Sequence, residues 1–345
     1  MPPNNILPDS AQNTRIDYID IFRSFGIILM VMGHIGYGKA FDLFIHAFHM
    51  PMFFWISGYL FSYKAKEEIS FTELLKKKAK SLLLPYVIFG VSHYFLYIVK
   101  RFLVHDSFDI SPLIHLFSVN TDGLAICRAL WFLTSLFFTD ILFFLIHKYV
   151  LNGILKTIVV IVVALIGNYT RMIFPFTLPF ALGPSFVGVG LYYIGYLFKK
   201  YQKNRIISAL MNLSWLHTLF GGIITTILIF VNGYINMRTE HYSIVLIFWV
   251  NALLSIIVGI NFSKLIYVYI QNRFWGNWLK SIGENSIVYV CLNQIVIALL
   301  RKVICIIVPF QYVSSVLILF TTLLTLNVIS IIFKNTKLNW IIGRK

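Results

Sequence analysis

Asp20-Ile-Phe-Arg23-Ser-Phe-Gly-Ile-Ile-Leu-Met-Val-Met-Gly-His34 places an arginine and a histidine inside the first apolar run of the chain, over 18–38. Ten residues separate them. Eleven helical steps return almost to the starting azimuth, so both side chains leave one face, roughly 16 Å apart along the axis. An ionisable side chain at membrane depth is costly and marks a functional site by default. Two on one face predict a polar path that begins near one membrane surface and ends near the other.

Around that stretch the composition is that of a membrane protein. The chain has 345 residues, 59% of them hydrophobic and 12% charged; a soluble domain carries about a quarter charged residues. Mean hydropathy is +0.81. Apolar runs of bilayer-spanning length recur, over 18–38, 44–61, 82–99, 130–147, 155–169, 180–198, 215–231, 243–260, 282–300 and 313–333. The fold class that follows is all-α, a polytopic integral membrane protein of about ten transmembrane helices. The start of the chain, 1–13, is polar and lacks a basic n-region, so the first span is expected to be retained and not cleaved as a signal.

A net charge of +16 would suggest nucleic acid in a soluble protein, but its distribution says otherwise. With both termini in the cytoplasm, the inner loops hold Lys64, Lys66, Lys76, Lys77, Lys78, Lys80, Lys148, Lys156, Lys199, Lys200, Lys203, Arg205, Lys264, Arg273 and Lys280. The outer loops hold Lys39, Lys100, Arg101, Arg171, Arg238, Arg301 and Lys302. That asymmetry is what the positive-inside rule predicts for an even number of spans. No nucleic-acid partner is expected. The domain organisation is a polar segment 1–17, one transmembrane domain 18–333 and a basic tail 334–345. Cys127, Cys291 and Cys305 are dispersed in or beside apolar runs, without metal-ligand spacing or a disulfide framework, and read as small buried apolar residues. No metal site is expected.

The second span reads His46-Ala-Phe-His49-Met-Pro51-Met-Phe-Phe-Trp-Ile-Ser57-Gly58. His46 and His49, three apart, share a helical face. In this topology His34 and His49 lie at similar depth, toward the outer half of the membrane. Pro51 is expected to kink the helix, and Ser57 and Gly58 suit close helix packing. His46 is read as a packing residue. The basic loop 64–80 ends in Lys76-Lys-Lys-Ala-Lys80; its ammonium groups would attract phosphates of lipid or of a nucleotide-bearing substrate. The fourth span opens Cys127-Arg128-Ala-Leu-Trp131-Phe-Leu, where Arg128 could snorkel and Trp131 could belong to an interfacial belt.

Arg23-x10-His34, then His49-Met-Pro51-Met-Phe-Phe-Trp-Ile-Ser57-Gly58, then Arg128-x-x-Trp131-Phe-Leu, resembles the membrane-bound acyltransferase 3 family. Looser matches are Leu84-Pro85-Tyr86, Tyr193-Ile-Gly195-Tyr-Leu197 and Ile282-Gly283-x-Asn285-Ser286. The chain is most similar to the short members, such as fucose 4-O-acetylases and exopolysaccharide acetyltransferases, which lie in the bacterial plasma membrane. The resemblance implies transfer of an acetyl group from cytoplasmic acetyl-CoA to a sugar hydroxyl of a surface polysaccharide or its lipid-linked precursor. It also implies that Arg23 and His34 match the family's essential pair. Two positions depart from the pattern. Lys77-Lys-Ala-Lys80 stands where members often have Arg-x-x-Arg, keeping the charge but losing the bidentate fork. Asn293 stands where many have a histidine, and cannot act as a base.

A sugar hydroxyl needs a base to take its proton as it attacks a thioester, and histidine exchanges protons near neutral pH. His34 is therefore expected as general base, with an acyl-histidine intermediate left open. Arg23 would hold the donor's phosphate or pantetheine arm, with Asp20 fixing its rotamer. Lys77 and Lys80 are further donor-binding candidates. His49, Arg128 and Trp131 would shape the acceptor end. The competing class is a transporter, flippase or glycan polymerase of the same pathway, whose intramembrane charges would line a permeation path.

Overall fold

The structure is a computed structural model that describes residues 16–64, 69–117 and 127–343; the amino-terminal segment to residue 15, Lys66, Arg344 and Lys345 lie outside these. Among the described residues it is 83% helical, with one two-stranded hairpin. The elements in order are α1 (Asp17–Ile35), α2 (Lys39–His46), α3 (His49–Lys64), α4 (Phe71–Lys78), α5 (Leu84–Leu103), α6 (Ser111–Phe117), α7 (Trp131–Tyr149), α8 (Gly153–Asn168), α9 (Thr170–Ile173) and α10 (Leu182–Lys200). There follow α11 (Arg205–Leu210), α12 (Trp215–Asn232), β1 (Ile235–Asn236), β2 (His241–Tyr242), α13 (Val245–Ile270), α14 (Phe274–Glu284), α15 (Ser286–Ile307) and α16 (Gln311–Asn335). Among the described residues nine helices are long and apolar enough to cross a membrane. The sixteen-residue α8 is a tenth, shorter apolar helix, about 24 Å long.

The chain departs from simple spans where backbone chemistry intervenes. Gly36 (φ 86°) and Gly38 (φ 98°) adopt conformations that a side chain would strain, and they end α1 at Ile35. The second span is not one kinked helix. It breaks at Ala47–Phe48, between α2 and α3. Pro51 then falls in the first turn of α3, where its missing N–H leaves no intrahelical bond unmade; the expected proline kink is replaced by a break upstream of it. The basic segment read as a loop is largely the helix α4, capped by Ser70, whose hydroxyl accepts from the Glu73 amide at 3.2 Å. A π turn over Ala79–Leu83 joins α4 to α5.

α1 packs against α3, α13, α14 and α15, so the face carrying Arg23 and His34 lies within the bundle. Two close helix approaches fix that arrangement. A Cβ at Gly283 would stand 2.0 Å from the Asp20 carbonyl oxygen, so only glycine lets α14 meet α1 there. Gly58 and Gly195 do the same for α3 and α10: a Cβ would stand 1.9 Å from Tyr192 O at the first and 2.1 Å from Trp55 O at the second. The core between them is aromatic, with Phe54, Trp55 and Tyr192 fully buried. Cys127 and Cys291 are buried, whereas Cys305 is exposed, against the reading of all three as buried. α16 is followed by a 3₁₀ turn, Lys337–Ile342, that buries Ile342, so the tail is tied to the bundle.

Candidate functional site

Two cavities lie along α1, one reached by Arg23 and one by His34. The Arg23 cavity, about 650 Å³, is walled by α1, α3, α4, α7 and α10. Arg23 is held on two sides: its Nη1 donates to Asp20 Oδ1 at 3.0 Å and to the Gly283 carbonyl at 3.3 Å. Asp20 is buried, so the i, i+3 pair anticipated from the sequence is set into the bundle. Lys77, Lys78 and Lys148 bring further positive charge, with Ser57 and Ser70 adding hydroxyls and Phe61, Phe144 and Tyr192 apolar wall. Lys80, also picked out from the sequence, is exposed and does not line the cavity.

One carboxylate organises this wall. Asp140, in the middle of α7, is 1% exposed. Lys78 Nζ lies 2.7 Å from its Oδ2, and the Tyr192 hydroxyl donates to its Oδ1 at 2.7 Å. Such a cavity, cationic at its rim and apolar within, can hold a phosphorylated molecule with an uncharged arm.

The His34 cavity, about 280 Å³, lies between α1, α2, α3, α7, α15 and the β1–β2 hairpin. His34, His46 and His49 all line it, so His46, assigned to packing from the sequence, is placed at the site. Arg128 and Trp131 line it too, Arg128 exposed and Trp131 buried. His49 Nδ1 donates to the Ile45 carbonyl at 2.6 Å. His46 Nδ1 is 2.8 Å from Asp42 O and 3.2 Å from Asp42 Oδ1, and the His46 and His49 rings meet edge to face at 5.2 Å. His34 Nδ1 accepts from the Gln294 amide nitrogen at 3.2 Å. Gln294 Oε1 is buried and has no hydrogen-bond partner among the described residues. The hairpin side supplies Tyr234, Asn236 and Arg238. Asn293, adjacent to Gln294, points away into α15 and donates to Tyr289 O and Val290 O.

The structure thus gathers the sequence candidates into two groups: Arg23, Asp20 and Lys77 at one end, His34, His49, Arg128 and Trp131 at the other. The sequence reading overlooked Lys78, Asp140, Tyr192 and Gln294, and also His147, which lines the Arg23 cavity. Asp140 and Gln294 carry the signal that singled out Arg23, a polar side chain within an apolar span. Among the described residues no group of three or more His, Cys, Asp or Glu side chains is arranged to hold a metal ion.

A family model described as an acyltransferase domain matches residues 16–333. No curated protein and no solved structure matches the chain.

Proposed function

The chain belongs to the acyltransferase 3 family, and from that premise we propose that this membrane acyltransferase moves an acetyl group from acetyl-CoA to a sugar hydroxyl of a surface glycan or its lipid-linked precursor. The observation that carries the reading is the division of labour along α1. One cavity presents Arg23, Lys77 and Lys148, and the other presents three histidines beside Trp131 and Tyr234.

The donor's phosphates fit the cationic rim of the Arg23 cavity, in charge-assisted contacts stronger than neutral ones. Its pantetheine arm is long and uncharged, and would run along α1 from the Arg23 cavity toward His34. The acceptor saccharide would enter the His34 cavity, where Trp131 and Tyr234 offer faces for a sugar ring and Arg128, Asn236 and Arg238 offer donors. The hydroxyl oxygen attacks the thioester carbonyl. Its proton goes to a histidine, the C–S bond breaks, and the proton leaves with the CoA thiol. No tightly bound cofactor is needed, because the acyl group arrives already activated.

Membranes containing the protein, supplied with acetyl-CoA and polysaccharide from cells lacking it, should release free thiol with matching ester formation. His34→Ala should abolish both at normal protein abundance. Thiol release that ignores the polysaccharide would point to another acceptor.

A further inference from the structure

Resting on that acyl-transfer reading, we propose that two histidines of the cavity, the buried His49 and the half-buried His34, have opposite roles: His49 is the base that takes the hydroxyl proton, and His34, oriented by Gln294, is the N–H donor that stabilises the oxyanion. This reverses the role expected for His34 from the sequence. It follows from what each ring nitrogen is bonded to.

A carbonyl oxygen can only accept a hydrogen bond. Ile45 O sits 2.6 Å from His49 Nδ1, so in the neutral ring the proton is on Nδ1 and the lone pair is on Nε2. A side-chain amide nitrogen can only donate. Gln294 Nε2 sits 3.2 Å from His34 Nδ1, so there the lone pair is on Nδ1 and the proton is on Nε2. His34 Nδ1 being occupied by Gln294, Nε2 is the nitrogen left for a ligand. One histidine of the cavity is thus built to accept a proton and the other to donate a hydrogen bond. Turning the Gln294 amide over would exchange the roles at His34. Among the described residues it would also exchange a buried carbonyl oxygen without a partner, Oε1, for a buried NH₂ without one, and orphaned donors are the rarer of the two in folded proteins.

The step balances without another reactant. The acceptor oxygen bonds to the thioester carbon while its proton moves to His49 Nε2. The carbonyl electron pair moves to oxygen, where His34 Nε2–H receives the charge. Collapse of that adduct re-forms the carbonyl and breaks the C–S bond, and the thiolate takes the proton back from His49. Gln294 also lines the cavity, and through its bond to His34 Nδ1 it is a positioning residue that selects the tautomer of His34.

Glutamine in place of histidine separates the roles, because its amide keeps an N–H donor near the Nε2 position but cannot act as a base. With acetyl-CoA and de-O-acetylated polysaccharide, His34→Gln should lower kcat about 10- to 100-fold, less than His34→Ala, because a lost oxyanion donor costs about 10²–10³ and the amide restores part of it. His49→Gln should be no better than His49→Ala, with a loss at the upper end of the ~10²–10⁴ that a general base supplies. Gln294→Met should lower kcat and leave the KM for acetyl-CoA unchanged. An active His49→Gln beside a His34→Gln as inactive as His34→Ala overturns the assignment while leaving the acyl-transfer reading intact. Wild-type protein that transfers nothing overturns that reading instead. If His49→Gln fails to insert, ¹⁵N spectra of histidine-labelled wild type, assigned through His34→Gln, decide the point: a proton on Nε2 of His34 supports the proposal, and one on Nδ1 refutes it.

Discussion

Replacing Gly283 by alanine tests whether the Arg23 cavity depends on the contact between α14 and α1. A Cβ there would stand 2.0 Å from Asp20 O, 2.7 Å from its carbonyl carbon and 3.0 Å from its Cα, all backbone atoms that no rotamer change can move aside. Real Cβ atoms essentially never approach closer than 3.0 Å, so the helices must separate by about 1 Å at this point. Overpacking of this kind costs ~1–3 kcal/mol. The separation also carries the Gly283 carbonyl away from Arg23 Nη1, already at 3.3 Å, and a hydrogen bond to a charged group contributes ~1.5–3 kcal/mol. Arg23 is 20% exposed and can recover part of that from water. The sum is about 3–5 kcal/mol, and a misplacement of about 1 Å at a substrate-holding group can lower the rate about 100-fold. Gly153→Ala is the matched control, since a Cβ there meets nothing within 4 Å, and it should be neutral or slightly stabilising. The assay is thermal unfolding of the detergent-solubilised protein alongside acetyl-CoA kinetics. Equal melting temperatures and equal donor KM values for Gly283→Ala and Gly153→Ala would refute the reasoning.

The remaining predictions concern the donor end and the topology. Lys77→Ala should raise the KM for acetyl-CoA about 2- to 5-fold, the worth of one solvated ion pair, whereas Lys80→Ala should leave it unchanged because Lys80 is outside the cavity; initial-rate measurements with acceptor held saturating distinguish the two. Reporter fusions after Arg205 and at Lys345 should report cytoplasm and one near Arg238 the outside; a cytoplasmic signal near Arg238 would place the His34 cavity on the wrong face of the membrane.

Hydropathy made the spans legible because a bilayer demands about twenty apolar residues per helix; the face shared by Arg23 and His34 followed from helical periodicity alone. What stayed hidden depends on neighbours distant in sequence. The break at Ala47–Phe48 has no glycine or proline to mark it, and Pro51 lies three residues downstream of it. The choice between Lys78 and Lys80 rests on Asp140, some sixty residues away. Tautomers of His34 and His49 were not readable, since they are set by Gln294 and by the carbonyl that the α2–α3 break aims at His49. Asp140 and Gln294 could have been flagged as polar groups within apolar spans; neither sits in a motif that resembles the family's.

Transfer from a donor bound in one cavity to an acceptor bound in the other is tested most directly by sided proteoliposomes. Acetyl-CoA labelled in its acetyl group is supplied on the face where Lys77 and Arg23 lie, and de-O-acetylated polysaccharide is trapped on the face of the His34 cavity. Label should appear on the trapped glycan as an alkali-labile ester, with one free thiol released per ester formed, and His34→Ala should stop both. Label that stays on CoA while the glycan itself crosses the membrane would contradict acyl transfer and favour a transporter.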